Sequence, residues 1–298
     1  MISLKHSFKK GLHQMSTVKL RLMTHNQWKN DENRPAWAEK GLDCSASVRM
    51  RGFVRVYKDT LPDIVGCQET SFFMADKMLR YCAEEGLRYA LLWGRDTPIM
   101  YRQDKFEVID SDFSLYPDDF PGHDGIFNND KTKSWCIGVF RIKENGKLFI
   151  YASTHLWWKS SDPTSPDYQP YSDESRAYQI ALLIDRIEIY RKKYGCPAFI
   201  VGDLNATYTS LAVSYALNNG YSHAHDIATE YADESVGYHD CFGWGYTARY
   251  YDDPFPKAID HILLTDTDKV RILRFERFSP EYYLPLSDHS PAFADVEI

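Results

Sequence analysis

The chain lacks the features that mark membrane, secreted and repetitive proteins. None of its apolar runs is long enough to span a bilayer, and its basic N-terminus has neither the apolar segment nor the cleavage site of a signal peptide. Internal repeats and low-complexity tracts are also lacking, and no shift in composition marks a domain boundary. We therefore expect a cytoplasmic protein with a poorly ordered tail over residues 1–16 and a single domain over residues 17–298.

The six cysteines contain no Cys-x-x-Cys pair, which is the spacing typical of zinc and redox sites. Cys67 and Cys136 lie inside apolar runs. This pattern favours reduced, buried thiols in an intracellular protein over a zinc site or a disulfide framework.

Basic residues are fewer than acidic residues in this sequence. The 35 lysine and arginine residues stand against 42 aspartate and glutamate residues, which gives a formal net charge of −7. A protein that binds long nucleic acid needs a basic surface to neutralise the phosphate backbone, so the overall charge does not favour that partner. A local basic patch is still compatible with this composition.

The sequence does contain six short polar motifs, most of which follow an apolar run that predicts a buried strand. They are Thr24-His25-Asn26, Gln68-Glu69, Thr154-His155-Leu156, Gly202-Asp203-Leu204-Asn205, Ile259-Asp260-His261 and Ser287-Asp288-His289. Ligands of layered α/β folds bind at strand ends, so we expect these side chains to converge on one site. Carboxylate and amide oxygens suit a hard cation such as Mg²⁺, and histidines suit charge stabilisation and proton transfer.

The apolar periodicity predicts strands that alternate with helices. The predicted helices cover Ser45–Tyr57, Phe72–Glu85, Asp173–Tyr194 and Ser210–Leu217. Two long segments, Tyr116–Thr132 and Trp157–Ser172, are rich in Pro, Asp, Gly and aromatic residues and are predicted to be loops. Loops of that length usually carry function.

Taken together, the motifs resemble those of the endonuclease/exonuclease/phosphatase superfamily, the deoxyribonuclease-I-like metal-dependent phosphoesterases. No single motif is specific, but six in the family's order, from about Leu20 to the C-terminus, are. The resemblance implies an α/β (α+β) fold, a four-layer sandwich in which two mixed β-sheets lie face to face and are flanked by helices. It also implies hydrolysis of a phosphate ester with Mg²⁺ or Mn²⁺ as cofactor.

The resemblance assigns the metal site to Glu69 as the principal ligand. Asn26 would lie beside it, through its oxygen or a bridging water, and Asp288 would complete the cluster directly or through water. Gln68 would support these ligands.

The resemblance also implies the catalytic roles. Asp203 would orient and deprotonate the attacking water, and Asn205 would hold the water or a phosphate oxygen. His155 and His289 would contact the non-bridging oxygens of the scissile phosphate, and one of them would protonate the leaving group. Asp260 would accept a hydrogen bond from His289 and fix its ring.

Further residues belong to the surroundings of the site. Arg176 and Gln179 would stabilise its wall, and Trp157 and Trp158 are candidate substrate contacts. Many relatives pair the first histidine with an acidic residue, for which Asp96 is the candidate here.

The function expected is that of a Mg²⁺-dependent phosphoesterase that hydrolyses a phosphodiester or phosphomonoester by in-line attack of water. The acidic, aromatic-rich loops favour a small or head-group substrate. An endonuclease or exonuclease acting on DNA or RNA is the alternative, and a non-catalytic binding protein on the same fold is the second. The sequence does not predict the oligomeric state.

Overall fold

The structure is a computed structural model that describes residues 17–29, 39, 41, 43, 45–232, 236–239, 247–249, 258–278, 280–283 and 285–298. The predicted tail over residues 1–16 lies outside the described residues, as do Cys44 and Cys241. The other four cysteines, at positions 67, 82, 136 and 196, are buried free thiols, as expected. None of the helices in the described part of the chain has both the length and the apolar character needed to span a membrane.

The strands in the described residues are short to medium in length and are numbered in chain order. They are β1 Lys19–Asn26, β2 Ile64–Gln68, β3 Tyr89–Leu92, β4 Ile99–Arg102, β5 Phe106–Leu115, β6 Ser134–Ile142, β7 Leu148–His155, β8 Ala198–Asp203, β9 Ser222–His223, β10 Glu230–Ala232, β11 Val236–His239, β12 Thr247–Arg249, β13 Asp260–Leu264, β14 Arg271–Arg277 and β15 Ala292–Glu297.

The α-helices agree with the sequence prediction to within three residues at each end, apart from one short helix that was not predicted. They are α1 Ala46–Thr60, α2 Phe72–Glu84, α3 Ser172–Tyr194, α4 Leu211–Asn218 and the short α5 Ala224–Ile227, and a 3₁₀ turn covers Glu281–Tyr283. The short elements β9 to β12 were not predicted either, because segments of two to four residues are too short to show a periodicity.

Two mixed sheets make up the frame of the described chain. The first has the strand order β10-β14-β15-β1-β2-β4-β3, and the second has the order β5-β6-β7-β8-β13-β9. Parallel pairs such as β1–β2 and β7–β8 sit next to antiparallel pairs such as β1–β15 and β8–β13. The strands β11 and β12 form a separate antiparallel pair.

Three apolar clusters hold the layers together. One lies between the two sheets and joins residues such as Leu22 and Ile64 of the first to Tyr151 and Val201 of the second. Another packs the second sheet against α3 and α4, and the last packs the first sheet against α1 and α2. The expected four-layer sandwich of helices, two facing sheets and helices is thus confirmed.

Candidate active site

Three of the predicted site residues lie side by side at one edge of the second sheet. β7 and β8 are parallel neighbours, with His155 in register with Asp203. β13 runs antiparallel to β8 and begins at Asp260, which is in register with Asp203. The apolar run before Asp260 suggested that this residue follows a strand. It begins one instead, because an antiparallel neighbour brings its first residue to the edge where β8 ends.

The first sheet contributes Asn26 and Glu69 to the same site. β1 and β2 are parallel and end in register at Asn26 and Gln68, and Glu69 follows in the left-handed backbone conformation, with φ of 53°. The Asn26 Nδ2 atom donates to Glu69 Oε1 at 3.2 Å and to Asp203 Oδ2 at 2.9 Å. Asn26 therefore joins carboxylates from the two sheets.

His289 lies just before β15 and is surrounded by carboxylates. Its Nδ1 atom is 2.8 Å from Asp260 Oδ2, while Nε2 is 3.8 Å from Asp203 Oδ2 and 3.9 Å from Asp288 Oδ1. Burial lowers the pKa of His289, but the negative charges of Asp260, Asp203 and Asp288 outweigh burial and raise that pKa well above its ordinary value. The imidazole is consequently a cation at neutral pH.

Two carboxyl groups of the site resist ionisation. Burial raises the pKa of Asp203 to about 7, although the positive charge of His289 opposes that rise. Burial likewise raises the pKa of Asp288 to about 6. A carboxyl group whose pKa lies near 7 can accept a proton from water at neutral pH, which is what a general base requires.

His155 has the opposite charge state to His289. Burial, the positive charge of Lys133 and that of His289 lower the pKa of His155 well below its ordinary value, so its ring is neutral. The Lys133 Nζ atom is 2.7 Å from His155 Nε2. Asp96, the candidate acidic partner of His155, instead forms an ion pair with Lys29 at 2.8 Å. The nearest charged neighbours of His155 are therefore Lys133 and, at 3.4 Å, the Asp203 carboxylate, and not Asp96.

The sequence analysis did not single out Lys133. Its signal is the same as that of the predicted motifs, a polar residue next to an apolar strand, but Lys133 precedes β6 and does not follow it. In the antiparallel pair of β6 and β7, Ser134 is in register with His155, so the start of one strand meets the end of the other.

The donor atoms present suit a hard divalent cation. The side chains of Glu69 and Asp288 are 29% and 26% exposed and line the cleft, and Asp288 Oδ1 is a buried atom without a hydrogen-bond partner among the residues that the structure describes. Oxygen atoms of Glu69 and Asp203 and a ring nitrogen of His155 also lie close enough to one another to hold an ion. These carboxylates fit Mg²⁺ or Mn²⁺.

Asn26 faces this group of donors with its amide nitrogen. Its Oδ1 atom accepts a hydrogen bond from the backbone N–H of Trp28 at 2.9 Å. In this arrangement the Asn26 side chain orients the carboxylates of Glu69 and Asp203, and its contact with a metal, through oxygen or a bridging water, stays a prediction.

Gln68 and Asn205 act through hydrogen bonds around the site. The Gln68 Nε2 atom donates to Ser153 Oγ at 3.1 Å and so ties β2 to β7. The backbone N–H of Asn205 donates to Asp203 Oδ1 at 2.8 Å, and its Nδ2 atom donates to Leu156 O at 3.1 Å. Asn205 thus fixes the second carboxylate oxygen of Asp203.

Side chains of α3 anchor the two long loops. The Arg176 Nη1 atom donates to the carbonyl oxygens of Trp157 and Lys159, at 3.0 and 2.6 Å. The Gln179 Oε1 atom accepts from the Trp157 N–H at 2.8 Å, and its Nε2 atom donates to Phe127 O at 3.2 Å. Both residues therefore hold the wall of the site without facing the carboxylates.

The site opens into a cleft of about 680 Å³. Asp130 from the first long loop and Trp158 and Asp167 from the second line it. Trp158 is 42% exposed and stands at the position expected of a substrate contact. Trp157 does not, because it is 1% exposed, packs on Phe127 and is absent from the lining of the cleft. Its backbone is hydrogen-bonded to side chains of α3, which keeps the residue away from the cleft.

Comparisons with known proteins agree with this arrangement. A profile of the Endonuclease/Exonuclease/phosphatase family matches residues 24–289, whereas no curated protein sequence matches the chain. An endonuclease/exonuclease/phosphatase from Bacteroides vulgatus is 24% identical, with a TM-score of 0.71 over 94% of this chain and 99% of that one.

Two further solved structures share the fold at lower identity. A mannosyl-6-phosphatase from Bacteroides thetaiotaomicron is 16% identical, with a TM-score of 0.70 over 93% of this chain and 99% of its own. TDP2 from D. rerio, complexed with a single-strand DNA product, is 14% identical, with a TM-score of 0.58 over 93% and 98%.

Members of the matched family are generally hydrolases that act on phosphate esters, and they typically use divalent metals. The profile spans all six motifs, from Thr24 to His289, and the structure brings side chains from each of the six to the site or its immediate support. The chain belongs to the endonuclease/exonuclease/phosphatase family.

Proposed function

We propose that the protein is a Mg²⁺-dependent phosphoesterase that hydrolyses a small or head-group phosphate ester by in-line attack of water. The observation that carries this proposal is the convergence on one carboxylate oxygen. Asp203 Oδ2 lies 2.9 Å from Asn26 Nδ2, 3.4 Å from His155 Nε2 and 3.8 Å from His289 Nε2. A buried carboxylate that accepts a hydrogen bond from Asn26 and lies beside the cationic ring of His289 can take a proton and return it with little reorganisation.

Asp203 would act as the general base. Its carboxylate, oriented by Asn26 and by the N–H of Asn205, would take a proton from the attacking water as that water forms its bond to phosphorus. The bond from phosphorus to the leaving-group oxygen would break on the opposite side. His289, a cation held by Asp260, would donate its Nε2 proton to the phosphoryl or leaving-group oxygen.

Glu69 and Asp288 would hold the divalent cation, and Asn26 would orient Glu69. When bound, Mg²⁺ would supply positive charge that polarises the phosphoryl group. The neutral ring of His155 would not serve as an acid, and we assign it a contact with a phosphate oxygen.

The two long loops support a small substrate. They contact each other, because Gln169 Nε2 donates to Ile126 O at 3.2 Å and the rings of His123 and Tyr171 lie 4.3 Å apart. Joined in this way, they wall one side of the cleft. The mannosyl-6-phosphatase neighbour makes sugar phosphates a class to test first.

The direct test is hydrolysis of a panel of sugar phosphates, nucleotides, phosphoinositides and generic p-nitrophenyl esters, with Mg²⁺, with Mn²⁺ and after chelation. Activity should vanish with the chelator and return with Mg²⁺ or Mn²⁺, and the Glu69→Gln variant should need more metal for half-maximal rate. Activity that persists in the chelator, or that only Zn²⁺ restores, would contradict the metal assignment.

A further inference from the structure

Lys133 is a buried lysine held rigidly at the floor of the cleft. Its residue is 6% exposed, yet it lines the cavity together with His155 and Asp203. Its backbone is fixed from both sides. Asn128 donates to its carbonyl oxygen at 2.9 Å and accepts from its N–H at 3.0 Å, and the N–H of Tyr116 donates to the same carbonyl oxygen at 2.9 Å. The direction in which the side chain leaves the backbone is thereby determined.

Its ammonium group has no ion-pair partner within 4.0 Å among the described residues. The hydrogen-bond partner of Nζ is His155 Nε2 at 2.7 Å, which belongs to a neutral ring and therefore balances none of the positive charge. Other lysines and histidines of the cleft are paired, since Lys29 contacts Asp96 and His289 contacts Asp260, each at 2.8 Å. The carboxylates of Glu69, Asp203 and Asp96 act on Lys133 only from beyond ion-pair distance. A buried ammonium group without a direct ionic partner is costly, so an anion that contacts Nζ would be stabilised.

Lys133 also lies where it can contact the phosphoryl group of a bound substrate. Lys133 Nζ and Asp203 Oδ2 both lie within 3.4 Å of the same nitrogen, His155 Nε2. A phosphoryl group attacked by a water that Asp203 holds would bring one of its non-bridging oxygens next to Lys133. An ammonium has three donors, of which the histidine takes one, so two remain and one of them can point at that oxygen.

We propose that Lys133 Nζ binds a non-bridging oxygen of the substrate phosphoryl group and makes the enzyme favour phosphomonoesters over phosphodiesters. A monoester dianion carries twice the charge of a diester anion and has an additional free oxygen, so a fixed cation stabilises it more. The inference rests on the proposed phosphoesterase function and names the substrate class of the same site.

The test compares Lys133→Met with Lys131→Met. The first removes the charge and keeps an unbranched side chain that is one atom shorter. The second removes an exposed lysine of the same loop that pairs with Asp118 and does not line the cleft. With Mg²⁺ and p-nitrophenyl phosphate, Lys133→Met should lower kcat/KM by about 10²-fold, the scale for losing one charge-stabilising donor. With bis(p-nitrophenyl) phosphate the loss should be no more than about tenfold, and Lys131→Met should change neither rate by more than about twofold.

Binding of inorganic phosphate separates this inference from the proposed function. Calorimetry of the Mg²⁺-loaded protein should show phosphate affinity at least about tenfold weaker in Lys133→Met than in the wild type, with Lys133→Arg between the two. If the wild type hydrolyses no ester of the panel described above, the proposed function fails, and phosphate binding still decides the role of Lys133. Unchanged phosphate affinity in a folded Lys133→Met or Lys133→Gln variant overturns the contact. Equal losses for monoester and diester overturn the preference.

Discussion

Two histidines of one site carry different charges because their neighbours differ. His289 has Asp260 at 2.8 Å and two further carboxylates within 4 Å, whereas His155 has the ammonium group of Lys133 at 2.7 Å. The sequence analysis gave both the same contacts with phosphate and left open which one is the acid. We therefore propose His289 as the acid, since a cationic imidazole gives up a proton far more readily than a neutral one.

The pairing of Asp260 with His289 predicts non-additive losses. His289→Ala and Asp260→Asn should each lower kcat by at least ~10²-fold, because the first removes the cation and the second removes the group that holds and charges it. Once His289 is gone, Asp260 has nothing left to orient, so the double variant should be no slower than His289→Ala. The measurement is the steady-state rate of the wild type, the two single variants and the double variant, with their unfolding midpoints as the control for folding. Losses that multiply in the double variant would show that the two residues act independently.

Some residues of the motifs face away from the site. His25 lies between two site neighbours in the chain, yet its ring packs edge-on against Phe53, and its nitrogens contact the hydroxyl groups of Tyr57 and Tyr283. Burial lowers the pKa of His25 to about 3, so it is a neutral core residue. Alternation along β1 explains this, because neighbours in a strand point to opposite faces.

At the scale of elements, the strand ends could be predicted but their partners could not. The apolar runs before His155 and Asp203 mark where β7 and β8 end, and parallel pairing then brings the two residues together. The pattern shows that Lys133 lies next to an apolar strand but not that it meets His155, because that approach depends on the register of β6 with β7. The same holds for Trp157, whose burial depends on hydrogen bonds to α3 that lie about twenty residues along the chain.

Close approach of β7 to β8 explains the glycine of the Gly-Asp-x-Asn motif. A Cβ atom at Gly202 would lie 2.0 Å from the carbonyl oxygen of Thr154, which is backbone and cannot give way. We therefore predict that Gly202→Ala lowers the free energy of unfolding by more than about 2 kcal/mol and lowers kcat as well, because the strands must separate beside Asp203. Urea unfolding and the hydrolysis rate measure the two effects.

The matched control is Gly220→Ala at the end of α4. Its φ of 85° strains an alanine, but no atom lies within 4 Å of the added Cβ, so about 1–2 kcal/mol of strain is the whole cost and kcat should be unchanged. If Gly202→Ala is as stable and as active as this control, the close approach does not set the geometry of the site.

At the scale of the whole molecule, the net charge and the position of the two loops both favour a small substrate over a long nucleic acid. Six carboxylate residues and two lysines line the cleft, and the chain as a whole carries −7. Two of those carboxylates, Asp130 and Asp167, come from the two loops that wall the cleft. Under the proposed mechanism, the one or two charges of a small ester that passes them would be met by the metal, His289 and Lys133. A duplex would instead lay many phosphates across an acidic rim.

This arrangement predicts that hydrolysis of small esters exceeds cleavage of nucleic acid by orders of magnitude and depends little on salt. The comparison is made with Mg²⁺, between a plasmid or an oligonucleotide and a small phosphate ester, at low and at moderate ionic strength. A polyanion bound through many phosphates releases counterions, so its cleavage would fall by about 10³-fold or more between 50 and 200 mM salt. A monoester bound in a walled cleft releases few counterions, and its kcat/KM should change by no more than a few-fold over that range.

The charge of the rim can be tested separately. Asp130→Asn and Asp167→Asn together should raise any residual cleavage of single-stranded DNA, because they lower the negative charge of the rim. The rate with the small ester should stay within about threefold, because the catalytic groups are untouched. Efficient duplex nicking with a steep salt dependence would overturn the small-substrate proposal and favour the nuclease alternative.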